Sequence, residues 1–149
     1  MQIQEKPYLT GRVFMFSIQK GEDMLQAIQY FCHHHQVRCG LLTAIGSVER
    51  ATLGVYDQKA KKYVKINLER EFEVLSLSGN VSLFDDKPMV HAHLVLGDIE
   101  GKAFGGHLMN NTRVFSLEVF LQELTGEMKV RKLDKATQLP LWTNPLGSK

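Results

Sequence analysis

The chain is poor in the features that mark secreted, membrane-spanning or cysteine-stabilised proteins. Its 149 residues include 2 cysteines, Cys32 and Cys39, which are too few for a disulfide framework or a cysteine-type zinc site. Because both thiols are expected to stay free, a reducing compartment is favoured. No apolar run approaches membrane-spanning length, and the first residues lack the apolar core of a signal peptide. We therefore expect a cytoplasmic protein that makes no membrane contact.

An excess of charge of one sign is also lacking. The 18 Lys and Arg residues are nearly balanced by 16 Asp and Glu, and the formal net charge of +2 is far below that of a dedicated nucleic-acid binder. No helix-turn-helix, Cys/His finger or internal repeat is visible. Two basic clusters are interpreted either as solvated surface or as phosphate contacts for weak DNA binding. They are Lys59, Lys61, Lys62 and Lys65, and Lys129, Arg131, Lys132 and Lys135.

What the sequence does contain suits one globular domain. Hydrophobic residues make up 44% of the chain and charged residues 23%, and a chain of this length can bury a single core. Alternating apolar and polar residues predict strands. These strands cover residues 12–18, 41–56, 63–68, 72–83, 89–96, 102–108, 114–124 and 128–133.

One helix is predicted after the first strand. Asp23 is placed to cap its start, with Gln26 three residues later, and Gly40 is predicted to stop it. Its apolar residues recur at helical spacing and would pack on a sheet: Leu25, Ile28, Phe31 and Cys32. We therefore predict an α+β fold, with a strongly curved, largely antiparallel sheet of about seven or eight strands and one main helix packed on it. This domain spans residues 1–133, and residues 134–149 are predicted to form an extended or partly disordered tail.

Three of the six histidines lie close together in the sequence. Strand side chains alternate between faces, so His91 and His93 share one face while their apolar neighbours point into the core. A turn at residues 97–101 brings the next strand back, and with it His107. Three neutral imidazoles that leave a fourth position open are the ligand pattern of a catalytic zinc or a related divalent metal. The alternative is that these are ordinary core or surface histidines.

The other reactive side chains give weaker signals. His33, His34 and His35 are consecutive on the helix and point about 100° apart, so they are interpreted as a solvated helix end. Neither cysteine has a suitably placed histidine partner, and no Gly-x-Ser-x-Gly nucleophile elbow is present.

Several short motifs, taken in order along the chain, resemble the PPC (plants and prokaryotes conserved) domain family. They are Gly21-Glu22-Asp23, Ala44-Ile45-Gly46-Ser47, Leu75-Ser76-Leu77-Ser78-Gly79-Asn80, Val90-His91-Ala92-His93-Leu94, Gly97-Asp98, Gly105-Gly106-His107-Leu108 and Glu118-Val119. The resemblance runs from about Gly11 to Leu124. It implies an α+β fold, a homotrimer and, as in prokaryotic members, a zinc site formed by His91, His93 and His107. The fold and the three-histidine pattern are also similar to acetolactate decarboxylase, a zinc enzyme.

The same resemblance offers a second functional interpretation. In land plants the domain is joined to AT-hook segments in nuclear DNA-binding proteins, and single-domain bacterial members are commonly labelled predicted DNA-binding proteins. This chain has no Arg-Gly-Arg-Pro hook, and it keeps histidines that plant versions tend to lack.

Glu118 is the candidate catalytic residue. It lies inside an apolar run, residues 114–121, that is predicted to be a buried strand. Burying a carboxylate without a partner costs several kcal/mol or raises its pKa, so a partner is expected. Glu118 would then act as general acid or base, or would orient a ligand histidine. The alternatives are a salt bridge with Arg113 or Arg38, or a half-exposed contact in a trimer.

We therefore expect a homotrimeric PPC-domain protein that binds one divalent metal, zinc or a related transition metal. The metal would assist hydrolysis, decarboxylation or enolisation of a small oxygenated molecule. One alternative is a DNA-associated regulatory protein in which the histidines are structural. Another is a structural or sensing module that binds a ligand without turnover.

Overall fold

The computed structural model describes residues 6–142, which contain nine strands and one helix. In chain order, the elements are β1 (Leu9–Ile18), α1 (Met24–His34), β2 (Gly40–Asp57), β3 (Lys62–Leu68), β4 (Phe72–Phe84), β5 (Lys87–Gly97), β6 (Ala103–Leu108), β7 (Arg113–Thr125), β8 (Val130–Leu133) and β9 (Pro140–Trp142). Each strand predicted from alternation is present, with its ends displaced by a few residues at most. The predicted α+β fold is confirmed.

All the strands belong to one sheet, in the order β1-β7-β2-β6-β5-β4-β8-β9, with β3 paired to β2. Every pairing is antiparallel except that between β4 and β8. Because β2 pairs with β4 as well as with β6, the strands β2, β6, β5 and β4 form a closed circuit. Such closure requires the sheet to curve strongly, as predicted.

Gly46 shapes the long strand β2. Its φ is +146°, and the register of β2 against β4 shifts between Ala44 and Gly46. A Cβ at this position would lie 2.1 Å from the carbonyl oxygen of Ser116 in β7. Glycine is therefore required here both by the backbone conformation and by the close approach of β7.

The helix α1 starts and packs as predicted. Oδ1 of Asp23 accepts a hydrogen bond from the backbone N–H of Gln26 at 3.0 Å, which is the predicted N-cap contact. Met24, Ile28 and Cys32 are fully buried in the core against the sheet. Both cysteines are free, and burial raises the pKa of the Cys32 thiol to about 12.

The predicted helix stop at Gly40 is wrong. The last helical residue is His34, and Gln36 adopts a left-handed φ of +58°. The backbone N–H of Val37 donates to the carbonyl oxygen of Cys32 at 2.9 Å, which closes the helix end. Gly40 already begins β2.

The segment after β7 folds back onto the sheet. β8 pairs in parallel with the end of β4, and β9 pairs with β8. Between them the Asp134 carboxylate accepts hydrogen bonds from the backbone and hydroxyl of Thr137. Residues 134–142 of the predicted tail thus contain a turn and a short strand, and residues 143–149 lie outside the described residues. Within residues 6–142, no helix is long and apolar enough to cross a bilayer.

Candidate metal centre

β5 presents two histidines on one face of the sheet. Val90, Ala92 and Leu94 are buried in the core, whereas His91 is half-buried and His93 is exposed on the opposite face. Burial of the apolar side chains stabilises the strand, and it thereby sets the direction in which both imidazoles point. This is the arrangement that the alternation predicts.

β6 returns antiparallel to β5 and brings in the third histidine. His107 is the Cα partner of His93 across the two strands. The turn between the strands is held by Asp98, whose Oδ1 accepts hydrogen bonds from the backbone N–H of Glu100 at 3.0 Å and of Lys102 at 2.9 Å. The register of this hairpin therefore places His107 directly opposite His93.

The three imidazoles meet at one place. Ring centroids are 5.2 Å apart for His91 and His93, 5.0 Å for His91 and His107, and 5.5 Å for His93 and His107. One nitrogen from each ring lies within 4.8 Å of the other two. Tetrahedral zinc would separate its ligand nitrogens by roughly 3.3 Å, so the three rings would move closer together on binding one ion. Elsewhere in residues 6–142, no other His, Cys, Asp or Glu side chains form such a group.

Burial favours the neutral form of two of these histidines. Burial first, and then the charges of His91, His93 and Arg131, lower the pKa of His107 to about 4. Burial, followed by the charge of Arg131, also lowers the pKa of His91. Neutral imidazole is the form that binds a metal. Nδ1 of His107 is moreover buried with no hydrogen-bond partner among the described residues.

Three further side chains surround the cluster, and the sequence did not assign them to it. The ring of Tyr63 in β3 stacks on His107, with centroids 4.8 Å apart. Asn80 in β4 is the cross-strand partner of His91. Nη2 of Arg131 in β8 donates to Oδ1 of Asn80 at 2.8 Å. The alternation of polar and apolar residues along β4 could have predicted that Asn80 faces the same side as the histidines. The positions of Tyr63 and Arg131 could not be predicted in this way, because they depend on the pairing of β3 and β8 with distant segments of the chain.

Glycines let β2 and β6 approach each other beside His107. Gly54 is the Cα partner of His107 across the two strands. A Cβ on Gly106 would lie 3.0 Å from the carbonyl oxygen of Gly54, and a Cβ on Gly54 would lie 2.9 Å from the ring of Tyr63. These glycines therefore leave room for the close approach in which Tyr63 stacks on His107.

The structure does not bring Glu118 to the histidines. It lies on β7, opposite Ser17 of β1 and Ile45 of β2, and β2 and β6 separate β7 from β5. The predicted burial of this carboxylate is wrong. The side chain is exposed because it occupies the outward position between the buried Leu117 and Val119.

Glu118 instead belongs to an exposed, largely apolar face of the sheet. A shallow depression beside it includes three exposed apolar side chains in its lining: Met15, Ile45 and Phe120. The arginines considered as its partners pair elsewhere, Arg113 with Glu49 at 3.0 Å and Arg38 with Asp86 at 2.6 Å. Neither of the alternative salt bridges is therefore formed, and the half-exposed contact in a trimer stays a prediction.

The basic and histidine-rich segments differ in how far the structure exposes them to solvent. The lysines at the β2–β3 turn and on β3 are exposed: Lys59, Lys61, Lys62 and Lys65. Arg131 was predicted as part of a surface patch, but it is buried, with 6% of its surface exposed. His33 and His34 are exposed in the last turn of α1, as predicted for a solvated helix end.

The structure thus defines an α+β domain whose curved sheet carries a cluster of three histidines. The sequence model of the Plants and Prokaryotes Conserved (PCC) domain matches residues 6–125. The chain therefore belongs to this family, and the resemblance drawn from its motifs is confirmed.

Solved structures share this fold closely. A metal-containing protein from Archaeoglobus fulgidus is 39% identical, with a TM-score of 0.88 over 95% of this chain and 100% of that chain. A plant- and prokaryote-conserved (PPC) protein from Pyrococcus horikoshii is also 39% identical, with a TM-score of 0.90 over 95% of this chain and 98% of that one. A candidate DNA-binding protein from Bacteroides thetaiotaomicron shares the fold at 22% identity, with a TM-score of 0.82 over 91% of this chain and 96% of that chain.

The curated relatives are much longer proteins. The bifunctional protein GlmU of Synechococcus sp. (strain JA-3-3Ab) is 33% identical over 136 residues, which are 89% of this chain but 21% of that protein. GlmU of a second Synechococcus strain is 30% identical over 90% of this chain and 20% of its own length. The chain thus spans about a fifth of the length of the curated relatives it matches.

Proposed function

We propose that the chain binds one divalent metal ion, zinc foremost, through His91, His93 and His107. The observation behind this proposal is the convergence of three ring nitrogens within 4.8 Å of one another. The buried Nδ1 of His107, which has no hydrogen-bond partner within residues 6–142, supports the same conclusion. So does the description of the Archaeoglobus relative as a metal-containing protein.

The donor set fits a transition metal better than calcium or magnesium. Imidazole nitrogen suits zinc, copper, iron and nickel, whereas calcium and magnesium prefer oxygen. No carboxylate belongs to the cluster in the part of the chain that the structure describes. Because the pKa values of His91 and His107 are lowered, protons compete weakly with a metal for these rings at pH 7.

The chemistry we propose is metal-assisted conversion of a small oxygenated molecule. A metal ion with three neutral protein ligands keeps a position open, and it supplies a Lewis acid that polarises a carbonyl or activates a water. Hydrolysis, decarboxylation and enolisation are the reaction classes that such a site supports. One neighbouring side chain would help to orient the molecule: Tyr63, whose aromatic ring stacks on His107.

Metal analysis of protein purified without an affinity tag tests the site. We expect about one metal ion per chain in the wild type and its loss in His93→Ala. Removal of a direct ligand should lower the affinity by more than the roughly 10–100-fold that loss of a supporting hydrogen bond costs. His34→Ala, at the exposed end of α1, is the matched control and should keep the metal. A wild-type chain that holds no metal above background and takes up neither zinc nor cobalt would contradict the proposal.

We also propose that the chain forms a homotrimer through the face that carries Glu118. Exposed apolar residues of β1, β2 and β7 support self-association there.

Within one chain Glu118 does not reach the histidines, so an acid–base role for it requires a neighbouring copy to bring it to the site. For a substrate found for the wild type, Glu118→Gln should keep the metal and lose turnover. Unchanged turnover would remove Glu118 from the mechanism.

DNA binding is the second function that we carry forward. The exposed lysines of the β2–β3 hairpin support contacts with phosphate. The Bacteroides neighbour resembles this chain in fold alone, at 22% identity. Since Arg131 is buried, the second basic cluster is weaker than its sequence suggests. We therefore propose only weak DNA binding, which shows no sequence preference and disappears at moderate salt.

A further inference from the structure

The β8–β9 hairpin carries a buried charge beside the histidine cluster. Arg131 donates from Nε to Oγ of Ser82 at 2.8 Å, from Nη2 to Oδ1 of Asn80 at 2.8 Å and from Nη1 to the carbonyl oxygen of Pro140 at 2.9 Å. All three acceptors are neutral. Among the described residues, no carboxylate forms an ion pair with this guanidinium. Because arginine stays protonated at neutral pH, residues 6–142 hold a buried positive charge without a counter-charge of their own.

This charge lies close enough to act on the site. Asn80, which accepts a hydrogen bond from Arg131, faces His91 across β4 and β5. The positive charge of Arg131 contributes to the lowered pKa of both His91 and His107. The guanidinium therefore lies within electrostatic reach of two of the three rings.

We infer that Arg131 makes the histidine site selective for small anionic ligands, carboxylates foremost. The inference rests on the metal site proposed above and names the substrate class of that site. Three neutral imidazoles leave the charge of a divalent ion uncompensated, and Arg131 adds a further positive charge beside it. A buried excess of positive charge favours an anion over a neutral ligand of similar size. A carboxylate supplies both the negative charge and an oxygen ligand, so the substrate is a small oxygenated molecule that bears a carboxylate.

Arg131 also has a structural role that the test must separate from this one. It ties β8 and β9 to β4, and its guanidinium carbon lies 5.2 Å from the centroid of the Trp142 ring. A purely structural role predicts that its loss weakens every ligand alike, whereas a role through charge predicts that anion binding alone is lost.

Two variants distinguish these roles. Arg131→Met removes the charge and keeps much of the bulk. Asn80→Asp leaves Arg131 in place and puts a carboxylate where the Asn80 amide oxygen already accepts its hydrogen bond at 2.8 Å. The guanidinium is then neutralised without being removed. Arg131→Lys, which keeps the charge, is the control.

The experiment uses the full chain loaded with cobalt(II), whose visible absorption reports its ligands. Acetate is the anionic probe, and imidazole is the neutral one. We expect Arg131→Met and Asn80→Asp each to weaken acetate binding at least about tenfold, because a nearby unit charge is removed or neutralised. Imidazole binding should stay within about twofold of the wild type in both, since a neutral ligand has little Coulomb energy to lose. Arg131→Lys should retain most of the acetate binding.

Acetate binding that is unchanged in both variants overturns the inference, and so does an equal loss for acetate and imidazole. Should Arg131→Met fail to fold, Arg131→Gln takes its place, because it removes the charge but keeps a polar group that can still bond to Ser82 and Asn80. A wild-type chain that takes up no cobalt refutes the metal site and this inference with it. A chain that loads cobalt but binds acetate independently of Arg131 refutes the inference alone.

Discussion

At the scale of single residues, His107 is the most constrained part of the cluster. Its Nδ1 is buried without a hydrogen-bond partner among the described residues. Leaving such an atom unsatisfied costs on the order of 1–3 kcal/mol. Tyr63 stacks on one side of the ring, and glycine at position 54 admits the close approach. The position of this ring therefore costs stability in the metal-free chain, which is a pattern frequent at functional sites.

This cost has a pH dependence that can be measured. We predict that the metal-free protein becomes less stable as the pH falls from about 6.5 toward 4. The pKa of His107 is lowered from 6.5 to about 4 by burial. Between these values the unfolded chain binds more protons than the folded chain, so the free energy of unfolding rises with pH. Urea unfolding at pH 7 and pH 5 measures the difference. His107→Asn should flatten the dependence, and an unchanged slope in that variant would contradict the assignment.

At the scale of elements, the alternation of apolar and polar residues predicted where the strands lie, because each strand buries one of its faces. The same rule explains both a success and a failure in the candidate site. On β5 it separated His91 and His93 from their buried neighbours. On β7 it should have placed Glu118 outward, but Phe115 and Phe120 are exposed and make the run look apolar on both faces. An apolar residue that faces outward therefore hides the alternation on which such predictions depend.

Pairings between segments that are far apart in the chain could not be predicted from the sequence. The parallel pairing of β8 with β4 brings Arg131 to Asn80, across 51 positions of the chain. No local pattern around Arg131 distinguishes it from its charged neighbour Lys132, which is exposed. The three ligand candidates were predictable because a short hairpin holds them, whereas the side chains that tune their environment come from β3, β4 and β8.

The requirement for glycine at position 46 of β2 can be tested with a pair of glycine substitutions. Gly46→Ala would place a Cβ 2.1 Å from a backbone oxygen of β7, at a φ of +146°. That oxygen cannot move without disturbing the pairing, so we expect the free energy of unfolding to fall by about 3 kcal/mol or more. Gly101→Ala is the control: φ there is +79°, nothing lies within 4 Å of the added atom, and conformation alone should cost about 1–2 kcal/mol. Denaturant unfolding of both variants gives the comparison, and equal losses would contradict the steric explanation.

At the scale of the whole molecule, the sheet has two unlike faces. One packs on α1 and forms the core. The other leaves apolar side chains in solvent, with Met15 82% and Ile45 56% exposed. Monomeric proteins rarely expose large contiguous apolar surface. This asymmetry supports the assembly proposed from the family resemblance.

Light scattering on the purified chain tests that assembly. We expect a mass of three chains of 16.9 kDa each. Ile45→Asp should shift the protein toward single chains, because it places a charge on the apolar face. Ile99→Asp, in the exposed turn between β5 and β6, is the matched control and should leave the mass unchanged. A monomeric wild type, or a trimer that tolerates Ile45→Asp, would contradict the proposed interface.

The way β6 is secured has a kinetic consequence for any ion held by its histidine. β6 pairs with β5 from Ala103 to His107, but with β2 only at His107 and Leu108. A strand fastened firmly along one edge and lightly along the other detaches locally at lower cost than the rest of the sheet. A metal ion bound by His107 on β6 and by His91 and His93 on β5 would then be released when β6 detaches locally. The residence time of the ion would then depend on how often β6 detaches locally from its neighbours, while the rest of the chain stays folded.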